Sequence, residues 1–126
     1  MPHFRIEYSS NLKDKLDMAE LCQIVHQSIM ASGLFELGAV RVRAFCAEHY
    51  AIADQLPENS FIDMEFRVGA GRSGEDLKRA GEAIFAAAQN VVKPLYSTPH
   101  FALSLEIRTI DADLSWKKNA MHARLR

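Results

Sequence analysis

The sequence predicts an α+β fold, with two consecutive β-α-β units forming a four-stranded mixed sheet with two helices on one face. Three observations predict it. Four short segments alternate apolar and polar residues, two longer segments carry an apolar stripe at helical spacing, and the order strand–helix–strand occurs twice. The strands begin near residues 3 and 61, the helices near 17 and 73, and the closing strands near 40 and 102. The second unit trails the first by about 60 residues at every element, as a duplicated supersecondary unit would. Each crossover makes its two strands parallel and its connection right-handed. The 126 residues suit one domain, spanning 1–126.

Residues 3–8 place Phe4, Ile6 and Tyr8 on one side and His3, Arg5 and Glu7 on the other, a half-buried strand. Asp17 followed by Glu20 has the spacing of a capping box, so a helix is expected to start there. Met18, Leu21, Ile24, Val25 and Ile29 then form its apolar face, and Gly33 is expected to stop it. Gly38 precedes a second strand, Val40 to Phe45. Residues 54–60 read as a loop, and Phe61 to Val68 as the third strand. Ser73 with Asp76 repeats the capping box, and Leu77, Ala80, Ile84, Ala88 and Val91 follow at helical spacing. Gly81 in that helix implies close packing against another element, and Pro94 and Pro99 end the helical region. Ala102 to Arg108 alternates with Leu103, Leu105 and Ile107 inward. The tail, 111–126, is read only as packing or a subunit contact. The sheet face away from the helices holds either the charged set (Arg5, Glu7, Arg41, Arg43, Asp63, Glu65, Arg67, Glu106, Arg108) or the apolar set, according to register. In the apolar case, oligomerisation would bury it.

Composition excludes several classes. The chain is 48% hydrophobic, enough for a core, so global disorder is excluded. Lys+Arg is 15 and Asp+Glu is 16, and a net charge of -1 gives no general pull towards nucleic acid or an anionic membrane. No run of about 18 apolar residues is present to span a bilayer. No basic segment followed by an apolar one marks a secretory signal, so a cytoplasmic protein is expected. Cys22 and Cys46 match no zinc or redox spacing and are expected to be buried thiols. The histidines, His3, His26, His49, His100 and His122, show no HxH or HExxH spacing, so a metal site is not expected.

Three features carry candidate chemistry. Pro2 follows the initiator Met directly and opens a strand, so trimming of Met1 would leave a secondary amine held in a sheet. Gly69-Ala70-Gly71-Arg72-Ser73 is either a tight turn with a solvated Arg72 or an anion site. In the second case, free N–H groups of the helix that Ser73 caps would act with the arginine fork. The glycine count excludes a dinucleotide or P-loop fingerprint. Arg41 and Arg43 share a strand face and either pair with Asp63, Glu65 or Glu106, or Arg41 acts with Arg72 to clamp a substrate that bears two carboxylates.

Pro2-His3-Phe4, Gly38-Ala39-Val40-Arg41-Val42-Arg43, Val68 to Ser73 and Leu103-Ser104-Leu105-Glu106-Ile107 together resemble the 5-carboxymethyl-2-hydroxymuconate isomerases of the tautomerase superfamily. The resemblance runs in order over nearly the whole chain. It implies a homotrimer without cofactor or metal. The implied reaction converts a small dicarboxylate or tricarboxylate dienol to its conjugated keto isomer in homoprotocatechuate breakdown. It also implies Pro2 as general base, Arg72 as catalytic arginine, and Arg41 and Arg43 as carboxylate-binding residues. Ala44-Phe45-Cys46 and the loop to Tyr50 depart from the family pattern, so the apolar wall of the site stays unassigned. An α-amino group titrates near ~8, so a proline base needs its pKa lowered, and burial beside cationic Arg72 and Arg41 would lower it. Two alternatives stand: a tautomerase of another enol acid such as phenylpyruvate, or a non-catalytic oligomeric module that binds a small acid.

Overall fold

The computed structural model describes residues Met1–Arg126. Strand β1 (His3–Ser9) is followed by helix α1 (Met18–Ala31) and strand β2 (Arg41–Ala47). Strand β3 (Ser60–Gly69), helix α2 (Gly74–Val92) and strand β4 (Phe101–Ile110) repeat that order. The four strands form one sheet in the order β2-β1-β3-β4. β1 and β2 are parallel, β3 and β4 are parallel, and β1 meets β3 antiparallel at the centre. The expected mixed sheet is therefore the observed one. A third, short helix α3 (Met121–Leu125), which the sequence did not announce, closes the chain.

The helix starts arise as the spacing predicts. The Asp17 side chain accepts from the Glu20 N–H at 3.1 Å, and the Ser73 hydroxyl accepts from the Asp76 N–H at 3.1 Å. Each satisfies a donor that the first helical turn would otherwise leave free. Gly33, just past α1, adopts a φ of +72°, the left-handed conformation that glycine accepts without steric cost.

Both helices lie on one sheet face. Leu21, Val25 and Ile29 of α1 and Ala80, Ile84, Ala88 and Val92 of α2 are buried there. They meet Phe4 and Ile6 of β1 and Ile62, Met64, Phe66 and Val68 of β3, all fully buried. Burial of one large apolar side chain is worth about 1.5–3 kcal/mol, so these central strands anchor the fold. A Cβ built on Gly81 would lie 2.9 Å from Ile107 Cδ1, which confirms the close approach of α2 to β4.

The open alternatives for the far face are settled by this register. His3, Arg5 and Glu7 lie beside Arg41, Arg43 and Phe45, and Asp63, Glu65 and Arg67 lie beside Ser104, Glu106 and Arg108. That face is mainly charged, and it is the charged set rather than an apolar remainder that the helices leave uncovered. The cysteines are free thiols as expected but differ in burial, since both are only half-buried. Cys22 lies on α1 and Cys46 on β2, the edge strand, where the helices leave the sheet partly open. No helix is long and apolar enough to cross a membrane.

Candidate active site

Two strand starts and one strand end converge on an open cleft of about 540 Å³. Pro2 enters it from the head of β1, Arg72 from the turn after β3, and Phe35 and Glu36 from the segment after α1. Pro2 is buried, and its carbonyl accepts from the Arg41 N–H at 3.2 Å, which fixes the start of β1 against β2. A terminus tied into a ladder in this way lacks the usual fraying.

Arg72 is held from three sides. Its Nε–H and one Nη2–H both donate to the Leu34 carbonyl at 3.1 Å, and Nη1 donates to the Gly69 carbonyl at 3.3 Å. Its guanidinium lies 4.2 Å from the centre of the Phe35 ring. Phe35 in turn packs on Phe66 at 5.3 Å, and Phe66 on Phe4 at 5.4 Å. An aromatic column thus runs from the core to the arginine. Gly71, at a φ of +109°, supplies the turn that brings Arg72 back over it. Arg72 pairs with no carboxylate of the chain, so its charge faces the cleft uncompensated. Phe35→Leu removes the ring beneath the guanidinium and is expected to cost about 1–2 kcal/mol in a urea unfolding series.

The terminal amine of Met1, at the lip of the cleft, is held below its usual value of 8.0. Burial is the main cause, and the positive charges of Lys117, Arg72, Arg41 and Arg67 add to it. Each disfavours a further positive charge at this end of β1. His3, next along the strand, is lowered for the same reasons, first by burial and then by Arg43, Arg67, the terminus and Arg41.

Pro2 and Arg72 therefore share one cleft, whereas Arg41 and Arg43 do not line it within a single chain. The Arg41 guanidinium turns back to the carbonyls of Gly38 and Ala39 at 3.1 and 2.6 Å. Arg43 Nη1 donates to His3 Nδ1 at 3.1 Å. Both line a different groove, at the free edge of β2 beside Cys22 and His26 of α1. Nor do they pair with Asp63, Glu65 or Glu106, since Arg108 takes both glutamates and Ser104 donates to Asp63.

Lys117, His122 and Glu36 complete the cleft, and sequence reasoning missed all three. The tail folds back over the turn Leu37–Ala39, so residues far apart in sequence meet. Asn119 Nδ2 donates to the Gly38 carbonyl at 2.8 Å, and Arg126 grips Glu36 Oε2 at 2.8 and 3.2 Å. No group of three or more His, Cys, Asp and Glu side chains is placed to hold a metal ion. A cationic, partly buried cleft that disfavours the protonated form of an amine suits proton abstraction from an anionic substrate.

The family model for 5-carboxymethyl-2-hydroxymuconate isomerase matches residues 2–125. The chain is 32% identical over 123 residues to a 5-carboxymethyl-2-hydroxymuconate Delta-isomerase of Escherichia coli, covering 98% of each chain. It superimposes on the crystal structure of a 5-carboxymethyl-2-hydroxymuconate isomerase from Deinococcus radiodurans R1 with a TM-score of 0.93 at 35% identity. That match covers 99% of this chain and 94% of the other. A fused 4-OT described as a symmetric trimer shares the fold alone, with a TM-score of 0.68 at 13% identity over 96% of this chain and 98% of the other.

Proposed function

The chain belongs to the 5-carboxymethyl-2-hydroxymuconate isomerase family, and from that membership we propose that it isomerises 5-carboxymethyl-2-hydroxymuconate in the cytoplasm without a cofactor. The observation that carries the proposal is the placing of buried Pro2 and Arg72, unpaired with any carboxylate, in one cleft. Removal of Met1 moves the terminal amine onto Pro2, at the head of β1. The amine there takes the proton of the C2 hydroxyl. The C2–O bond becomes a carbonyl, the 2,4-diene becomes a 3-ene, and the proton is returned to C5. Electrons and protons balance within the substrate, so no redox partner enters. Arg72 stabilises the negative charge that develops as the proton leaves. Ultraviolet-monitored isomerisation by purified protein tests the reading. Fast turnover supports it, and none from folded protein with a free Pro2 overturns it.

Arg41 and Arg43 are assigned to carboxylate binding in an assembled trimer, since they line another groove of the single chain. Support for assembly lies in the tail, where Trp116 is 86% exposed and Leu114 71% exposed. Water is a costly place for such side chains, and a neighbouring copy would cover them. Trp116→Glu is expected to shift the protein from trimer to monomer in sedimentation velocity. An unchanged trimer would remove Trp116 from the interface.

A further inference from the structure

The cleft holds one more cation than the two residues of the proposed reaction require. We propose that Lys117, delivered by the folded-back C-terminal tail, binds a substrate carboxylate in this cleft while Arg72 meets the developing enolate, and so selects polycarboxylate dienols over monocarboxylate enols. The inference rests on the function proposed above and names its specificity element.

Charge and placement carry the argument. The cleft is lined by Arg72, Lys117, His122 and a single carboxylate, Glu36. Glu36 is already engaged by Arg126 at 2.8 Å and by His122 Nδ1 at 3.1 Å. Lys117 pairs with no carboxylate and makes no side-chain hydrogen bond, although it stands in the same cleft. After burial, it is also the largest influence that lowers the terminal amine, ahead of Arg72. An ammonium so placed is free for an anion brought by a ligand. The substrate's name accounts for three carboxylates, two on the muconate skeleton and one on the carboxymethyl arm. Arg72 has three of its donors on Leu34 and Gly69 and the rest turned to the enolate, and Arg41 and Arg43 line another groove of the chain, so a carboxylate in this cleft is left for Lys117.

The tail is positioned rather than loosely attached. Asn119, two residues after Lys117, bonds the Gly38 carbonyl at 2.8 Å, and its own Oδ1 accepts from the Met121 N–H at 3.0 Å. Gly38 gives α3 room to pack, because a Cβ there would lie 3.2 Å from His122 Nδ1 and 3.3 Å from the His122 backbone nitrogen. Gly38→Ala therefore requires the His122 segment of the tail to give by a few tenths of an ångström, and tests the seating of Lys117 without altering its side chain.

The test compares wild type, Lys117→Ala, Lys117→Arg and Gly38→Ala on 5-carboxymethyl-2-hydroxymuconate and on enol phenylpyruvate. Lys117→Ala is expected to raise KM for the tricarboxylate about tenfold to a hundredfold, with kcat changing far less. The rise is at least tenfold larger than for phenylpyruvate, and Lys117→Arg recovers most of it. Gly38→Ala moves KM the same way and adds little to Lys117→Ala, because both act through one contact. An unchanged KM in Lys117→Ala, or an equal rise on both substrates, overturns the proposal. Should wild type turn over neither substrate, the isomerase reading has failed, and calorimetric titration with tricarballylate against propionate still decides Lys117. A tenfold loss of tricarballylate affinity in Lys117→Ala upholds it, and equal affinity overturns it.

Discussion

Pro2→Ala is expected to lower kcat/KM for the isomerisation by about 10²–10⁴, the range a positioned proton-transfer group contributes, while the unfolding transition stays cooperative. Alanine leaves a primary amine at the same place, so the variant separates the ring nitrogen's basicity and fixed direction from a mere amine in a cleft. A preparation that retains Met1 goes further, because the Pro2 nitrogen is then an amide and has no proton affinity at neutral pH. Mass spectrometry of the terminus should therefore track specific activity across preparations. The environment sets the direction of the pH dependence. Burial and the charges of Lys117, Arg72, Arg41 and Arg67 already lower the amine at this end of β1. The active form is the neutral amine, so the rate rises as pH passes upward through a pKa below the ordinary terminal value. Full activity in Pro2→Ala would remove Pro2 from the chemistry.

The parts of this molecule legible in its sequence are those that local rules govern. Alternation along 3–8 and 61–68, the caps at Asp17 and Ser73, and the missing side chain at Gly81 each depend on neighbours within a few residues or on one face of one element. The parts that escaped depend on chain segments brought together by the fold. Arg72 was visible as a cation in a glycine turn, yet its anchor is the Leu34 carbonyl, a main-chain atom that carries no residue signal. Arg41 was read as sharing a strand face with Arg43, and the structure sets it beside His3 at the head of β1. Its guanidinium nonetheless turns to the Gly38 and Ala39 carbonyls of a short helical turn that no periodicity marks. Lys117 and His122 lie in a tail with a five-residue helix, too short to show an apolar stripe. The Asn119 and Arg126 contacts that seat it join residues 81 and 90 positions apart. A polar contact across that separation leaves no pattern to find in one sequence.

Arg72→Ala carries the second large expectation, a fall in kcat of about 10²–10³ with a smaller change in KM, as for loss of a preorganised donor to a developing oxyanion. The geometry says why kcat should bear the loss. A guanidinium has five N–H donors, and three of them hold Leu34 and Gly69. One N–H on each terminal nitrogen remains, on a group already fixed by Phe35 at 4.2 Å and so needing no reorganisation when charge appears. Arg72→Lys is the sharper variant. It restores the charge but not the fork, and an ammonium cannot bond Leu34 and Gly69 while presenting two parallel donors to the substrate. If charge alone were sufficient, Lys would recover most of kcat. The fixed fork predicts that it recovers less than about a tenth of the loss on a logarithmic scale. A Lys variant near the wild-type rate would reduce Arg72 to a general source of positive potential and leave the orientation of the enolate to other groups in the cleft.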